Sequence, residues 1–228
     1  MASNPMKGLI AFPGHAANTN IKMRQFVLGE RNGQLLYLVA PILARIDAVY
    51  RFVRPIVRNG KHVLFLGGKG RESQAQAEYW AKKCNMPYKH LWVGGTLTNF
   101  SFMHGHSSVG TKNRYMTQIP EAIFMLRRDM TCLREAHQSL VPTISVVDAR
   151  SDPTWINYVI PGARDPLRAA ALMSWIVRLA AEPAPNLNWE QLYRDIYSLP
   201  GDEEAELDEE SEAAGAAPSS TSRRIIMP

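Results

Sequence analysis

A chain of 228 residues is long enough for one substantial domain, or one domain with an extension. Its composition, 46% hydrophobic and 21% charged, is ordinary for a globular protein and excludes a fibrous or wholly disordered chain. The formal charge of +5 conceals an asymmetry, because Gly201 to Glu212 carries eight acidic residues and no basic one. Setting those eight aside leaves 13 acidic against 26 basic residues, a net +13 on everything else. A body that basic attracts polyanions and releases counterions when it neutralises phosphates.

The two cysteines, Cys84 and Cys132, show no CxxC spacing, which argues against a disulfide framework or a zinc ribbon and suits a reducing compartment. No apolar run approaches the ~20 residues needed to span a bilayer, so no membrane partner is expected. Met1 to Leu9 has neither the apolar core of a secretory signal nor the arginines of a transit peptide.

In chain order, Leu35–Val39 is a short β-type run, and Pro41 suits the first turn of a helix. Ile42, Leu43, Ile46, Val49, Tyr50 and Val53 recur at helical spacing, predicting a helix over 42–57 that Asn59-Gly60 stops. His62–Leu66 is a compact apolar run ending in Gly67-Gly68, and Glu72–Cys84 reads as an amphipathic helix. A short strand follows near Tyr88–Leu91, and Thr98–Gln118, without a clear period, reads as a loop.

Ala122–Leu126 is the next buried-strand candidate, with a helix from about Thr131 to Leu140. Thr143–Val147 is a β-branched strand, Tyr158–Ile160 an extended piece, and Pro166 to Ala181 a last core helix. Strands alternating with helices predict an α/β fold with a mostly parallel sheet and helices on both faces. Asn188–Tyr197 reads as a short amphipathic helix. The expected division is a domain over 1–200 and a tail over 201–228, disordered or ordered by a partner, because the tail buries too little apolar surface to fold alone.

Two segments invite an anion. Gly67-Gly68-Lys69-Gly70-Arg71 lies where a strand gives way to a helix, so its amides, Lys69 and Arg71 can face a phosphate. Neither GxxxxGK[ST] nor a complete GxGxxG is present, and the bland alternative is a tight turn with exposed cations. Trp92 through Phe100 joins two glycines, Gly94 and Gly95, to hydroxyls and an amide; the aromatics are expected in the core, and Thr96, Thr98 and Asn99 in contact with RNA. Lys22, Arg24, Arg31 and Asn32, with Gly29 and Gly33 among them, read as a loop that follows a phosphate backbone. Arg45, Arg51, Arg54 and Arg58 extend that surface or form a solvated helix face, and helical spacing favours the second reading.

Chemistry finds less support. His104-Gly105-His106 can chelate a metal, but no third ligand completes a site, and a polar loop facing RNA is favoured. There is no GxSxG elbow near Asp148, Ser145 lies inside its strand, and Asp152-Pro153 reads as a turn. No catalytic residue, metal, cofactor or small-molecule substrate is therefore expected.

The same segments resemble, in order, the bacterial and organellar type of small-subunit ribosomal protein two. The matching pieces are Gly14-His15, Asn20-Ile21-Lys22-Met23, Gly29 through Gly33, Val63 through Lys69, and Leu91 through Phe100, followed by Pro120-Glu121-Ala122, Glu135-Ala136, Val141-Pro142, Val147-Asp148, Ser151-Asp152-Pro153 and Tyr158 through Gly162. The resemblance implies a flavodoxin-like three-layer sandwich. It also implies a structural role on the solvent side of the small subunit near its head–body junction, with small-subunit ribosomal RNA and neighbouring ribosomal proteins as partners. His15, Lys22, Arg31, Asn32, Lys69 and the Gly94–Asn99 segment carry over as RNA contacts.

Three departures qualify the likeness. Thr19 and Ile21 stand where the family has a tryptophan and a proline, and Arg164 stands in a Gly-Ala-Arg-Asp run where the family has Gly-Asn-Asp-Asp. Only about twenty residues separate Phe100 from Glu121, too few for the family's long helical hairpin, whose arms each need more than ~12 residues. The shortened body and acidic tail point to an organellar ribosome, specifically a mitochondrial one, with a plastid or a bacterial cytoplasm as alternatives. Two competing readings follow from the residues: an α/β nucleotide-binding protein or enzyme using the Gly67–Arg71 loop at the sheet's carboxyl edge, and an adaptor whose acidic tail docks a basic partner.

Overall fold

In the computed structural model the described residues are 11–13, 18–105, 118–163 and 165–182, with side chains described for 18–102, 118–163 and 165–182. The tail, the 188–197 helix expectation, His15, His106 and Arg164 lie outside them.

An antiparallel meander comes first, formed by β1 (Ala11–Pro13), β2 (Val27–Arg31) and β3 (Gln34–Tyr37) in the order β1-β3-β2. Here the sequence expectation is corrected. The glycine- and cation-bearing stretch is a β-hairpin and not a loop, and only Leu35–Tyr37 of the Leu35–Val39 run lies in strand, which begins one residue earlier at Gln34. Asn32 (φ 52°) and Gly33 (φ 70°) supply the two left-handed residues of a two-residue hairpin turn, which Asn-Gly accommodates at low cost. Met23, capping a 3-10 turn at Arg24–Phe26, and Phe26, its last residue, are buried and anchor the entry to the hairpin.

Helix α1 (Val39–Arg58) follows, burying Ile42, Ile46, Val49, Tyr50 and Val53 on one face. Pro55 is tolerated within it because the proline sits on the exposed side of the last turn. Then come β4 (Val63–Leu66), α2 (Arg71–Lys83), β5 (Tyr88–Lys89), α3 (Phe100–Gly105), β6 (Ala122–Met125), α4 (Met130–Gln138), β7 (Thr143–Val147), β8 (Tyr158–Pro161) and α5 (Pro166–Ala181). Helix α3 corrects the expectation of a loop across Thr98–Gln118 at its first part.

The five later strands form a parallel sheet in the order β5-β4-β6-β7-β8, the flavodoxin-like arrangement. Every residue of β4, β6 and β7 is buried, as expected of parallel strands covered on both faces. Helix α5 is apolar nearly all round because it packs against both α1 and α2. The β4-to-β5 step and the β6-to-β7 step run in opposite lateral directions, so right-handed crossovers put α2 and α4 on opposite faces.

The meander is pinned to the sheet at Ala149. The Tyr37 hydroxyl accepts the Ala149 N–H at 2.7 Å and donates to the Gly162 carbonyl at 3.4 Å, while Asn20 N–H donates to the Ala149 carbonyl at 2.8 Å. Among the described residues no helix is long and apolar enough to cross a membrane.

Candidate nucleic-acid interface

A parallel sheet sends every strand-to-helix loop to one edge, and the register aligns those edges here: Leu66 pairs with Lys89 and Met125, and Met125 with Ser145. Residues 67–71, 90–99, 126–129 and 148–151 therefore gather at the carboxyl edge, while the rest of the 148–157 connection runs back to Thr143 at the start of β7, which Trp155 and Asn157 bond. Lys69, Arg71, Arg128 and Arg150 bring basic side chains there from three different loops. This edge collects Lys69, Arg71 and the Gly94–Asn99 segment, while Arg24, Arg31 and Asn32 belong to the N-terminal turn and hairpin.

Glycines shape the β4–α2 loop. A Cβ on Gly67 would lie 2.7 Å from the Gln74 Cα, so helix and strand approach closely only because that atom is missing. Gly68 (φ +76°) turns the chain over Arg127, whose Cβ would stand 3.0 Å from a Gly68 Cβ. Lys69 and Arg71 project from this loop and are exposed.

The Gly94–Asn99 segment is braced from behind. Glu135, a buried residue of α4, accepts the Gly95 N–H at 2.6 Å and the Leu97 N–H at 3.1 Å. The Lys89 ammonium donates to Thr96 Oγ1 at 2.6 Å, and that hydroxyl donates in turn to the Val93 carbonyl at 2.6 Å. Burial pulls the Lys89 pKa down, and the Glu135 carboxylate opposes that fall. Thr96 is fully buried, which corrects its assignment as an RNA contact: its hydroxyl is consumed by the fold. Gly94, Thr98 and Asn99 are exposed and Gly95 is half-buried, so the loop still offers a polar face. Trp92 is buried, as the core reading of that aromatic expected.

Lys22 also differs from its expected setting. Its ammonium bonds the Thr154 hydroxyl and lies 3.8 Å from Asp152, tying the N-terminal segment to the loop after β7. Hydrogen bonds from Thr154 hold the Asp152 carboxyl below its ordinary range, with Lys22 and Arg128 assisting. Arg24 is exposed at the start of the 3-10 turn, and Arg31 and Asn32 are exposed at the hairpin tip. On α1, Arg51 pairs with Asp47 at 2.8 Å, Arg58 donates to the Glu182 carbonyl at 2.9 Å, and Arg45 lies over the Phe26 ring. Arg51 thus keeps to a solvated helix face, while Arg45 and Arg58 reach Phe26 and Glu182 outside the helix, and Arg54 is half-buried.

Arg127 and Arg128 are the cations that reading the sequence passed over. They follow β6 directly and, with Lys69, line a cleft of about 170 Å³ between the β4, β6 and β7 ends. The available signal was their place after the apolar run 122–126. No group of three or more histidine, cysteine or acidic side chains able to hold a metal occurs among the described residues.

A basic edge on a flavodoxin-like sheet defines a polyanion-binding class of α/β protein, and comparison with known proteins gives the family. The model of the family described as ribosomal protein S2 matches residues 10–113 and 106–184. The chain belongs to this family. The two matched pieces meet at 106–113, inside the stretch too short for a helical hairpin. It is similar to the small ribosomal subunit protein uS2 of Corynebacterium kroppenstedtii, with 27% identity, covering 87% of this chain and 82% of that one. The uS2 proteins of Mycobacteroides abscessus and Nocardia farcinica are each 31% identical across 79% of this chain, covering 79% and 77% of their own lengths.

Proposed function

We propose that this protein is a structural constituent of a small ribosomal subunit, binding ribosomal RNA and neighbouring ribosomal proteins to support translation. The observation that carries the reading is family membership over most of the chain, joined to cations gathered on one edge of the sheet. Family membership places the protein among structural ribosomal components and leaves the enzyme alternative without support. RNA contact is assigned to Lys69, Arg71, the exposed face of Gly94, Gly95, Thr98 and Asn99, and the cations Arg24 and Arg31 with Asn32. Their mixture of charge and exposed backbone suits phosphate and shape recognition more than base reading.

The ribosome we assign is mitochondrial. The short segment between Phe100 and Glu121 and the acidic run 201–212 support that choice over the bacterial setting of the relatives. The test is sedimentation of cell and organelle fractions after a high-salt wash. The protein is expected to travel with mitochondrial small subunits. Recovery only in the soluble fraction overturns the ribosomal role, and recovery only with ribosomes outside mitochondria overturns the compartment.

A further inference from the structure

The lateral order of the parallel sheet reverses between β4 and β6, and α2 and α4 leave toward opposite faces. Such a divergence opens a crevice at the carboxyl ends of the strands, where open α/β sheets take their ligands. In this chain Lys69 enters the crevice from the β4 side, Arg127 and Arg128 from the β6 side, and Ser151 from the loop after β7.

Its charge is one-sided. Among the described residues neither Lys69 nor Arg127 meets a carboxylate; Arg128 shares Asp152, at 3.6 Å, with Lys22. Asp148, buried below, accepts the Ser151 N–H at 3.0 Å and faces Arg150 at 3.9 Å. Arg127 lies against the loop opposite, its Nε and Cζ 3.4 and 3.6 Å from where a Gly70 Cβ would stand. Among the described residues its Nε is buried without a hydrogen-bond partner. A sequestered guanidinium donor is satisfied at low cost only by an incoming acceptor, and guanidinium and ammonium groups together match a phosphate.

Size selects among phosphates. The cleft, at about 170 Å³, is below the ~300–1,000 Å³ of pockets that enclose a whole small molecule, so it suits one phosphate with its ester arms more than a complete nucleotide. We propose that this crevice is a phosphate-binding site in which Lys69, Arg127 and Arg128 grip one phosphodiester of the ribosomal RNA backbone. The choice of RNA rests on the ribosomal reading above; the phosphate site itself rests on the crevice.

The experiment measures binding of the full chain to transcribed small-subunit ribosomal RNA across a salt series, for wild type, Lys69→Gln/Arg127→Gln and Arg127→Lys. The double variant is expected to bind more weakly, with a salt slope lower by about one in all because the cations share a single phosphate, and Arg127→Lys to keep most of the slope. A second arm follows thermal unfolding in inorganic phosphate and in a mononucleotide. Phosphate is expected to raise the melting temperature of wild type and not of the double variant, and the nucleotide to add nothing further. Wild-type RNA binding with an unchanged slope in a folded double variant overturns the RNA phosphodiester as occupant. A nucleotide shift well above that of phosphate does the same in favour of a free nucleotide. Equal phosphate shifts, or none, in wild type and double variant overturn the site. Failure of wild type itself to bind the RNA overturns the direct RNA contacts assigned above, while the phosphate arm still judges the crevice.

Discussion

The Glu135 carboxylate and the Gly95 amide meet at 2.6 Å, across forty residues of sequence, and this bond sets the exposed loop between β5 and α3 on its support. The second oxygen takes the Leu97 N–H, so one side chain satisfies two amides of a turn that has no regular structure of its own. Charged acceptors to buried amides form strong hydrogen bonds, and leaving the donors bare is costly. Glu135→Ala is expected to lower stability by about 2–4 kcal/mol in urea unfolding, and Glu135→Gln, which keeps one acceptor, by about 1 kcal/mol. Equal stability of all three proteins would show that the loop holds itself.

Two glycines that look alike in sequence predict opposite outcomes. A Cβ at Gly67 would press to 2.7 Å on the backbone of Gln74, so Gly67→Ala must push α2 away from β4. A Cβ at Gly29 meets nothing within 4 Å. Gly67→Ala is therefore expected to cost about 1–3 kcal/mol and Gly29→Ala less than about 0.5 kcal/mol, measured by denaturant midpoints. Similar midpoints for the two variants would mean that the strand–helix approach is not tight.

What was legible in the sequence follows the same division between local and distant. Strands β4, β6 and β7 were readable because burial on both faces leaves uninterrupted apolar runs, and α5 because Pro166 and the alanine-rich run mark it. The hairpin is hidden in the sequence because β2 is mostly exposed and lacks a buried apolar run, leaving Asn32-Gly33 as its one local turn signal. Thr96 was misplaced because nothing local reveals the Lys89 ammonium above it or Glu135 behind its loop. Arg127 and Arg128 escaped notice because their neighbour Lys69 is more than fifty residues away, brought close only by β4 and β6 pairing in register.

The last relationship, Tyr37 to Ala149, gives a prediction with a pH signature. Removing the hydroxyl leaves the Ala149 N–H without its acceptor, so Tyr37→Phe is expected to cost about 1–3 kcal/mol at neutral pH. Burial raises the phenol to about 12 from its ordinary value near 10, outweighing the Ala149 bond, which favours ionisation. The unfolded chain therefore loses this proton first as pH rises. The stabilisation is complete below pH 10 and is lost progressively as pH climbs toward about 12, amounting to roughly 3 kcal/mol across that window. Cys84, raised by burial to about 11, adds its own loss above pH 9, but in both proteins alike. Urea unfolding from pH 8 to 11.5 should therefore show a constant gap between wild type and Tyr37→Phe up to pH 10, closing above it. A gap that stays constant throughout would mean that the Tyr37 phenol ionises in the folded protein as it does in the unfolded chain.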